Sequence, residues 1–271
     1  MKKQEKLAFI KRVETLSKTK VKTIAFINNG ITNDNYLIND AFIYKVKNPL
    51  ISHQNNLKNE TTLANYLSSR ALTPRHHFFT NEVIIDYLAD TTFINCSNYD
   101  KYLAKLVKAI KTIHDLPLQG FSGFNMFERL EFYQKSCNHE SLKGLEKIIE
   151  RTKYYYTKAK LTVTHNDLVN GNILVRNDEL YLIDFEYCGI NDPDFDVVSF
   201  LSENEFVDQE VRDEFYKCYY QEEEIPFDKL TIYFKFADAL WYYWALYAYK
   251  KTKKAIFLQI AKLKRENYNK N

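Results

Sequence analysis

Thr-His-Asn-Asp-Leu-Val-Asn-Gly-Asn-Ile-Leu-Val-Arg-Asn-Asp-Glu-Leu-Tyr-Leu-Ile-Asp-Phe-Glu-Tyr, residues 164–187, is the stretch that decides the fold of this chain. Its second half contains two short apolar runs, 173–175 and 180–183, separated by three polar residues, which predicts a tight β-hairpin. If the turn comprises those three residues, Asn172 lies opposite Asp184, and a two-residue turn shifts this pairing by only one place. The hairpin therefore brings Asn172 and Asp184 together at its open end, with Cα atoms roughly 5 Å apart.

Asp167 lies just before that open end, and Gly171 allows the loop between them to turn sharply. Two carboxylates and one amide oxygen thus converge on a small volume. Hard oxygen ligands with an open outer side suit Mg²⁺ that carries phosphates, whereas clusters of His and Cys would suit zinc. A kinase-type phosphotransferase needs this arrangement, because one aspartate accepts the substrate hydroxyl proton while the asparagine and the second aspartate hold the metal.

The same stretch resembles the choline/ethanolamine kinases, a branch of the aminoglycoside-phosphotransferase-like kinases, and most of all the bacterial choline kinases. The resemblance rests on three segments, namely His165-Asn166-Asp167, Gly171-Asn172 and Ile183-Asp184-Phe185-Glu186-Tyr187. The competing interpretation is a hairpin with ordinary turn and cap residues, which requires several residue types to coincide at fixed spacing by chance.

The resemblance implies an α+β, two-lobed protein-kinase-like fold that uses ATP and Mg²⁺. Residues 1–88 would form a small antiparallel-sheet N-lobe and residues 89–271 a larger, mostly helical C-lobe. Asp167 would be the catalytic base, and Asn172 and Asp184 would be the Mg²⁺ ligands. Glu186 would bind a second metal ion or order water around it. His165, the other catalytic-loop residue, is better suited to positioning the loop than to transferring protons.

The residue pattern before residue 88 agrees with such an N-lobe. An amphipathic helix is predicted for residues 4–16, and strands for 21–27, 35–38, 41–46, 76–79 and 82–88, around a helix at 57–69. A turn at Thr80-Asn81 would join the last two strands. After residue 88 the pattern changes from strands to helices, which predicts the lobe boundary there.

The predicted ATP-binding residues come from three segments of the N-lobe. Asn28 to Tyr36 stands where the family has a glycine-rich loop over the phosphates, with Asn29 in place of the first glycine, so Gly30, Thr32 and Asn33 are the candidates; a simple hairpin turn is the alternative. Lys45, held by an ion pair with Glu60, would anchor the phosphates. The alternative is that Lys45 and Glu60 are both solvated charges on the surface. Asp86 and Leu88 would lie at the hinge that binds adenine.

The substrate prediction rests on an aromatic helix. Trp241 and Trp244 are three residues apart and therefore share one helix face. With Tyr187 and the carboxylate of Glu203 they could wall an aromatic box for a quaternary ammonium. Core packing is the main alternative, and a membrane span is opposed by charged residues within the run.

Composition excludes several other classes of protein. The chain has 271 residues, 38 basic and 35 acidic, and the resulting charge of +3 is too small to indicate a nucleic-acid partner. Cys96, Cys137, Cys188 and Cys218 form no metal-binding spacing and indicate reduced thiols in a cytoplasmic protein. The N-terminus lacks the apolar run of a signal peptide.

These observations predict an ATP-dependent kinase that phosphorylates the hydroxyl of choline. The alternatives of the same chemistry are ethanolamine, thiamine or an aminoglycoside as the acceptor. Two alternatives of another class are a pseudokinase that binds nucleotide without catalysis and a membrane-surface protein that uses the aromatic helix and the lysines at 250–254.

Overall fold

The structure, a computed structural model, describes residues 3–27, 30–52, 55–79, 82–137 and 141–270. Its N-terminal part is a five-stranded antiparallel sheet in the order β1-β2-β3-β5-β4, with helix α1 packed on one side. The elements are α1 (Lys3–Ser17), β1 (Ile24–Ile27), β2 (Asp34–Ile38), β3 (Phe42–Val46), α2 (Leu57–Ser68), β4 (His76–Phe78) and β5 (Glu82–Asp86). The Asn28-Asn29 and Thr80-Asn81 turns lie outside the described residues.

The rest of the chain is mostly helical. It comprises β6 (Thr92–Phe93), α3 (Tyr99–His114), α4 (Met126–Ser136), α5 (Leu145–Tyr156), β7 (Thr162–Thr164), a 3₁₀ turn (Asn170–Asn172), β8 (Ile173–Arg176), β9 (Glu179–Leu182), β10 (Gly189–Asn191), α6 (Asp194–Glu203), α7 (Gln209–Tyr220), α8 (Phe227–Thr252) and α9 (Ile256–Lys270). A small antiparallel sheet and a large helical body confirm the two-lobed α+β class. Among the described helices, none is both long and apolar enough to span a bilayer.

The hairpin at the centre of the chain has a two-residue turn. Arg176 pairs with Glu179 across it, so the turn is Asn177-Asp178, and both turn residues have the positive φ of 49° and 62° that a type I′ turn requires. The N–H of Ile183 donates to the carbonyl of Asn172 at 3.0 Å. Asn172 therefore lies opposite Ile183, one place from the pairing that a three-residue turn gives, and Asp184 follows directly.

The sequence pattern did not predict three short strands. β6 has two residues and pairs with β8, while β7 and β10 have three residues each and pair with one another. Such short strands contain too few residues to show an alternating period. The pair β7–β10 brackets the catalytic stretch, because β7 ends at Thr164 and β10 begins at Gly189.

Helix α2 is fixed to the helical lobe as well as to the sheet. Its apolar residues belong to the large core of the helical lobe, namely Leu63, Ala64 and Leu67. The amide of Asn59 donates to the carbonyls of Ser122 and Cys188, each at 3.0 Å, and accepts from the N–H of Ser122 at 2.9 Å. All of these contacts are buried or half-buried, so the helix that carries Glu60 has a defined position relative to the catalytic loop.

Candidate active site

The catalytic loop, residues 165–172, rests on the buried carboxylate of Asp196. This carboxylate accepts hydrogen bonds from the backbone N–H of His165 at 2.9 Å and of Asn166 at 2.6 Å. The ring of His114, at the end of α3, contacts it at 2.9 Å. Asn166 has φ = 66°, a left-handed conformation that such a network can maintain. These contacts give Asp196 a supporting role under the loop and His114 a structural one.

His165, the first residue of the loop, is fully buried. Its Nε2 contacts the carbonyl of Ile183 at 3.1 Å, and its Nδ1 is 3.3 Å from the N–H of Asp167. Burial lowers the pKa of the imidazole, which favours the neutral form. These contacts link the loop to the hairpin, so the geometry supports a positioning role for His165 rather than proton transfer to substrate.

Asp167 and Asn172 are in direct contact. The Nδ2 of Asn172 donates to the backbone carbonyl of Asp167 at 2.9 Å and to its Oδ2 at 3.0 Å. These bonds use the amide nitrogen and leave the amide oxygen of Asn172 for another ligand. Gly171, in contrast, is not needed for a sharp turn, because its φ is not positive and a Cβ built there would meet nothing within 4 Å. Gly171 lines both of the cavities described below.

The predicted ion pair between Lys45 and Glu60 is wrong. The Nζ of Lys45 lies 2.6 Å from Oδ1 of Asp184, whereas Glu60 forms a buried ion pair with Lys47. Lys45 and Lys47 are two residues apart along β3 and its extension, so both side chains face the same side of the sheet. From the sequence alone, either lysine could pair with Glu60, and the packing of α2 decides which one does. Lys45 lies beside Asp184 in the cleft, and its role as the phosphate anchor stays a prediction.

The three residues predicted for the phosphate loop, Gly30, Thr32 and Asn33, lie in different surroundings. Gly30 borders both halves of the cleft, and a Cβ there would lie 2.9 Å from the backbone carbonyl oxygen of Asn33, which disfavours any larger residue. Thr32 lines the substrate side. Asn33 is buried and bound at both ends, since its Nδ2 donates to Oε2 of Glu186 at 3.1 Å and its Oδ1 accepts from Asn48 N–H at 3.2 Å. The predicted role of Asn33 in ATP binding thus gives way to tethering the loop to Glu186.

Three carboxylates of the cleft, those of Asp167, Asp184 and Glu186, influence one another's pKa values, and Lys45 lies beside one of them. Burial, followed by the charges of Asp184 and Glu186, raises the pKa of Asp167 well above its usual range. Burial and then Asp184 also raise the pKa of Glu186. Burial acts in the same direction on Asp184, but the neighbouring Lys45 outweighs it and lowers the pKa of that carboxyl. Such a cluster of oxygen ligands is electrostatically suited to a bound cation.

The donor set fits Mg²⁺. Within the described part of the chain, no group of three or more His, Cys, Asp or Glu side chains is arranged so that these side chains alone could hold a metal ion. Mg²⁺ commonly binds through one or two carboxylates together with substrate phosphates and water, and does not need such a group. Asp184 and the amide oxygen of Asn172 would supply the protein ligands, and Glu186 is the further carboxylate next to them.

Two cavities meet at these residues. One, of about 280 Å³, lies under the sheet and is lined by Lys45, Asp86 and Leu88, which is the predicted nucleotide side. The other, of about 390 Å³, lies between the catalytic loop and the C-terminal helices and contains Asp167. Residues common to both linings include Gly30, Gly171, Asn172 and Asp184. The two compartments therefore share a junction at the candidate metal ligands.

The substrate-side cavity has the predicted aromatic wall. The rings of Tyr187 and Trp241 are 5.2 Å apart, and those of Trp241 and Trp244 are 5.8 Å apart at 88°. The hydroxyl of Tyr187 and the Nε1 of Trp244 are buried and have no hydrogen-bond partner among the residues that the structure describes. A tryptophan that only packs in a core usually satisfies its N–H. These two polar atoms therefore favour a ligand-binding wall over simple core packing.

Glu203 also lines this cavity, but it is not a lone carboxylate. Lys264, on α9, forms an ion pair with its Oε1 and lies 3.6 Å from Oδ1 of Asp238. Sequence reasoning missed Lys264, because 61 residues separate it from Glu203 and it stands in a helix rich in charged residues. The other aromatic residues near the centre of α8 are buried, which removes the evidence for a membrane-surface role of this helix.

Known proteins resemble the chain in sequence. The sequence model of the phosphotransferase enzyme family matches residues 23–230. Protein LicA of Haemophilus influenzae is 25% identical over 162 residues, a match that covers 54% of this chain and 61% of that protein. The chain thus spans less than two thirds of the length of this curated relative.

Solved structures resemble the chain over nearly its whole length. The choline kinase LicA from Streptococcus pneumoniae has a TM-score of 0.80 at 18% identity, covering 99% of this chain and 100% of that one. An ethanolamine kinase from Plasmodium vivax has a TM-score of 0.77 at 15% identity, covering 99% and 89%. At such identities the likeness establishes the fold, which is the predicted kinase-like one.

Proposed function

Since the chain belongs to the phosphotransferase enzyme family, we propose that it is an ATP-dependent choline kinase that makes phosphocholine. One observation carries the proposal, namely that a cavity with an aromatic wall and a cavity with Lys45 meet at Asn172 and Asp184, beside Asp167. A phosphoryl group can pass between two ligands only if their compartments share such a junction.

In the proposed reaction, choline occupies the cavity with the aromatic wall and ATP occupies the cavity under the sheet. The choline hydroxyl oxygen attacks the γ-phosphorus, the bond from that phosphorus to the β–γ bridging oxygen breaks, and ADP leaves. Asp167 accepts the hydroxyl proton. Lys45 binds phosphate oxygens once they compete with Asp184 for its ammonium. Mg²⁺, if held by Asn172 and Asp184, would neutralise part of the phosphate charge.

The aromatic wall supports choline over the other acceptors. A quaternary ammonium offers no N–H donor and is attracted to aromatic faces, a cation–π interaction worth about 2 kcal/mol or more when desolvated. Trp241, Trp244 and Tyr187 supply such faces at the cavity wall. A polycationic aminoglycoside would need several available carboxylates, yet Glu203 already has a lysine partner.

Turnover of ATP by the purified protein with Mg²⁺ tests this proposal against its alternatives. Choline, ethanolamine, thiamine and kanamycin are offered in parallel, and ADP and the phosphorylated product are both measured. We expect choline to give the highest kcat/KM. Preference for another acceptor would keep the phosphotransfer chemistry and reject the choline assignment. ATP binding without turnover of any acceptor would instead support the pseudokinase alternative.

Trp244→Ala is expected to raise the KM for choline by about 30-fold, which corresponds to the loss of roughly 2 kcal/mol of cation–π attraction. The KM for ATP should stay close to the wild-type value, because Trp244 lines the cavity that lacks Lys45. Trp244→Phe retains an aromatic face and serves as the matched control. A choline KM that is the same in both variants would contradict the aromatic wall.

The two lysines of β3 and its extension should respond differently to the same substitution. Lys45→Met removes the ammonium beside Asp184, and we expect kcat/KM for ATP to fall by about 100-fold, the effect of losing a charged hydrogen bond to phosphate. Lys47→Met leaves Glu60 buried without its partner, so its main effect should be on thermal stability. ATP-dependent kinetics and thermal melts of both variants check this. A larger kinetic loss in Lys47→Met would reverse the assignment.

A further inference from the structure

Lys264 occupies an unexpected place for a cation, in the wall of a cavity proposed to bind a cation. Its side chain is 4% exposed, and it contacts Glu203 on α6 and Asp238 on α8 from its own position on α9. Glu203 lines the cavity together with Lys264, whereas Asp238 lies behind them and is 2% exposed. Lys264 and Asp238 are buried and Glu203 is partly exposed, and the formal charges of this cluster of three residues sum to −1.

This cluster limits what Glu203 can offer to a ligand. The carboxylate oxygen Oε1 already accepts from Lys264, and the hydroxyl of Ser202 lies 3.3 Å from the same oxygen. A primary ammonium carries three N–H donors that lose water on entering the cavity and need acceptors there. At Oε1 it would have to compete with Lys264, itself a primary ammonium, so that Glu203 could offer it only Oε2 for its three donors. A quaternary ammonium has no donor to satisfy and needs only the field of the cluster and the aromatic faces.

We propose that Lys264 is a specificity-determining residue that makes the site select quaternary over primary ammonium groups by holding Oε1 of Glu203, which leaves a primary ammonium only Oε2 of this carboxylate as an acceptor. This inference rests on the proposed function, because it concerns the choice between choline and ethanolamine in the same cavity. Lys264 repels both substrate cations, but it withholds an acceptor only from the one that needs it. Selectivity therefore arises from a contact denied to the competitor.

The deciding measurement is the ratio of kcat/KM for choline to kcat/KM for ethanolamine. Lys264→Met frees Glu203, and we expect the ratio to fall by about tenfold, the size of one hydrogen bond to a charged group. Lys264→Arg keeps a cation on Glu203 and should keep most of the wild-type ratio. Lys262→Met, an exposed lysine on the same helix, is the matched control and should leave the ratio unchanged.

Loss of Lys264 leaves Asp238 and Glu203 without their shared cation, which can destabilise the protein. The double variant Asp238→Asn/Lys264→Met keeps the net charge of the cluster at −1 and should show the same fall in the ratio. In Glu203→Gln the carboxylate is absent, so adding Lys264→Met to it should no longer change the ratio. A purely structural role of Lys264 would lower both kcat/KM values together and leave the ratio within about twofold of wild type, which would overturn the proposal.

Failure of this inference differs from failure of the proposed function. If the wild-type protein turns over choline and Lys264→Met leaves the ratio unchanged, only the role of Lys264 is rejected. If the wild-type protein prefers ethanolamine, the choline assignment is rejected, and the response of the ratio to Lys264→Met still decides the role of Lys264. Turnover of neither substrate by the wild-type protein would overturn both.

Discussion

Asp167→Asn is expected to lower kcat for the phosphorylation of choline by about 10²–10⁴-fold, the usual contribution of a positioned general base. Asparagine has nearly the same shape but cannot accept the hydroxyl proton. Its side-chain oxygen can still accept from Nδ2 of Asn172, which donates to Oδ2 of Asp167 at 3.0 Å in the present structure. The substitution therefore removes the base and preserves the loop.

Several readouts separate loss of the base from loss of the fold. ATP affinity should change little in Asp167→Asn, because Asp167 lines the cavity with the aromatic wall and not the one under the sheet. The melting temperature should be equal to or above that of the wild-type protein, since the buried carboxylate is repelled by Asp184 and Glu186. Asp100→Asn, at an exposed position in the first turn of α3, is the control. A kcat within threefold of wild type would exclude Asp167 as the base.

The hairpin shows why part of this site was predictable from the sequence. Asn172 and Asp184 flank one hairpin, so their proximity follows from turn length and strand pairing, and Asp167 is only five residues ahead of Asn172. The uncertainty in turn length displaced the pairing by one place, and Asp184 still reached the junction. A site at the end of a hairpin tolerates such an error, because a shift of one place in the pairing still leaves the same residues next to one another.

The contacts between distant elements were the ones that the sequence could not supply. Which lysine meets Glu60 depends on how α2 packs, and α2 is held in place by Asn59 through carbonyls more than sixty positions away in the chain. The pairing of Lys264 with Glu203 likewise depends on how α9 crosses α8. Local periodicity identifies each helix, but side-chain partners across elements follow from tertiary packing, which pattern analysis does not resolve.

Asp196→Ala is expected to lower the free energy of unfolding by about 3–5 kcal/mol, the typical cost of breaking a buried charged network. The carboxylate is fully buried and accepts from the N–H groups of His165 and Asn166. Alanine leaves both donors buried without an acceptor, at a cost of about 1–3 kcal/mol each. It also removes the partner of Nε2 in the His114 ring, at the end of α3, while Nδ1 keeps its contact with the hydroxyl of Tyr219.

Urea denaturation of matched variants measures this effect. Asp196→Asn retains one side-chain oxygen and should lose roughly half as much stability as Asp196→Ala, since one of the two backbone donors keeps an acceptor. Asp213→Ala, at an exposed position on α7, should stay within about 0.5 kcal/mol of the wild-type protein. Phosphotransfer should also fall in Asp196→Ala, because Asn166 would no longer be held at its positive φ of 66° and Asp167 follows it directly. A loss below about 1 kcal/mol in Asp196→Ala would mean that water replaces the carboxylate and that the catalytic loop is held by its other contacts, chiefly those of Leu168 with Ser199 and Asn204.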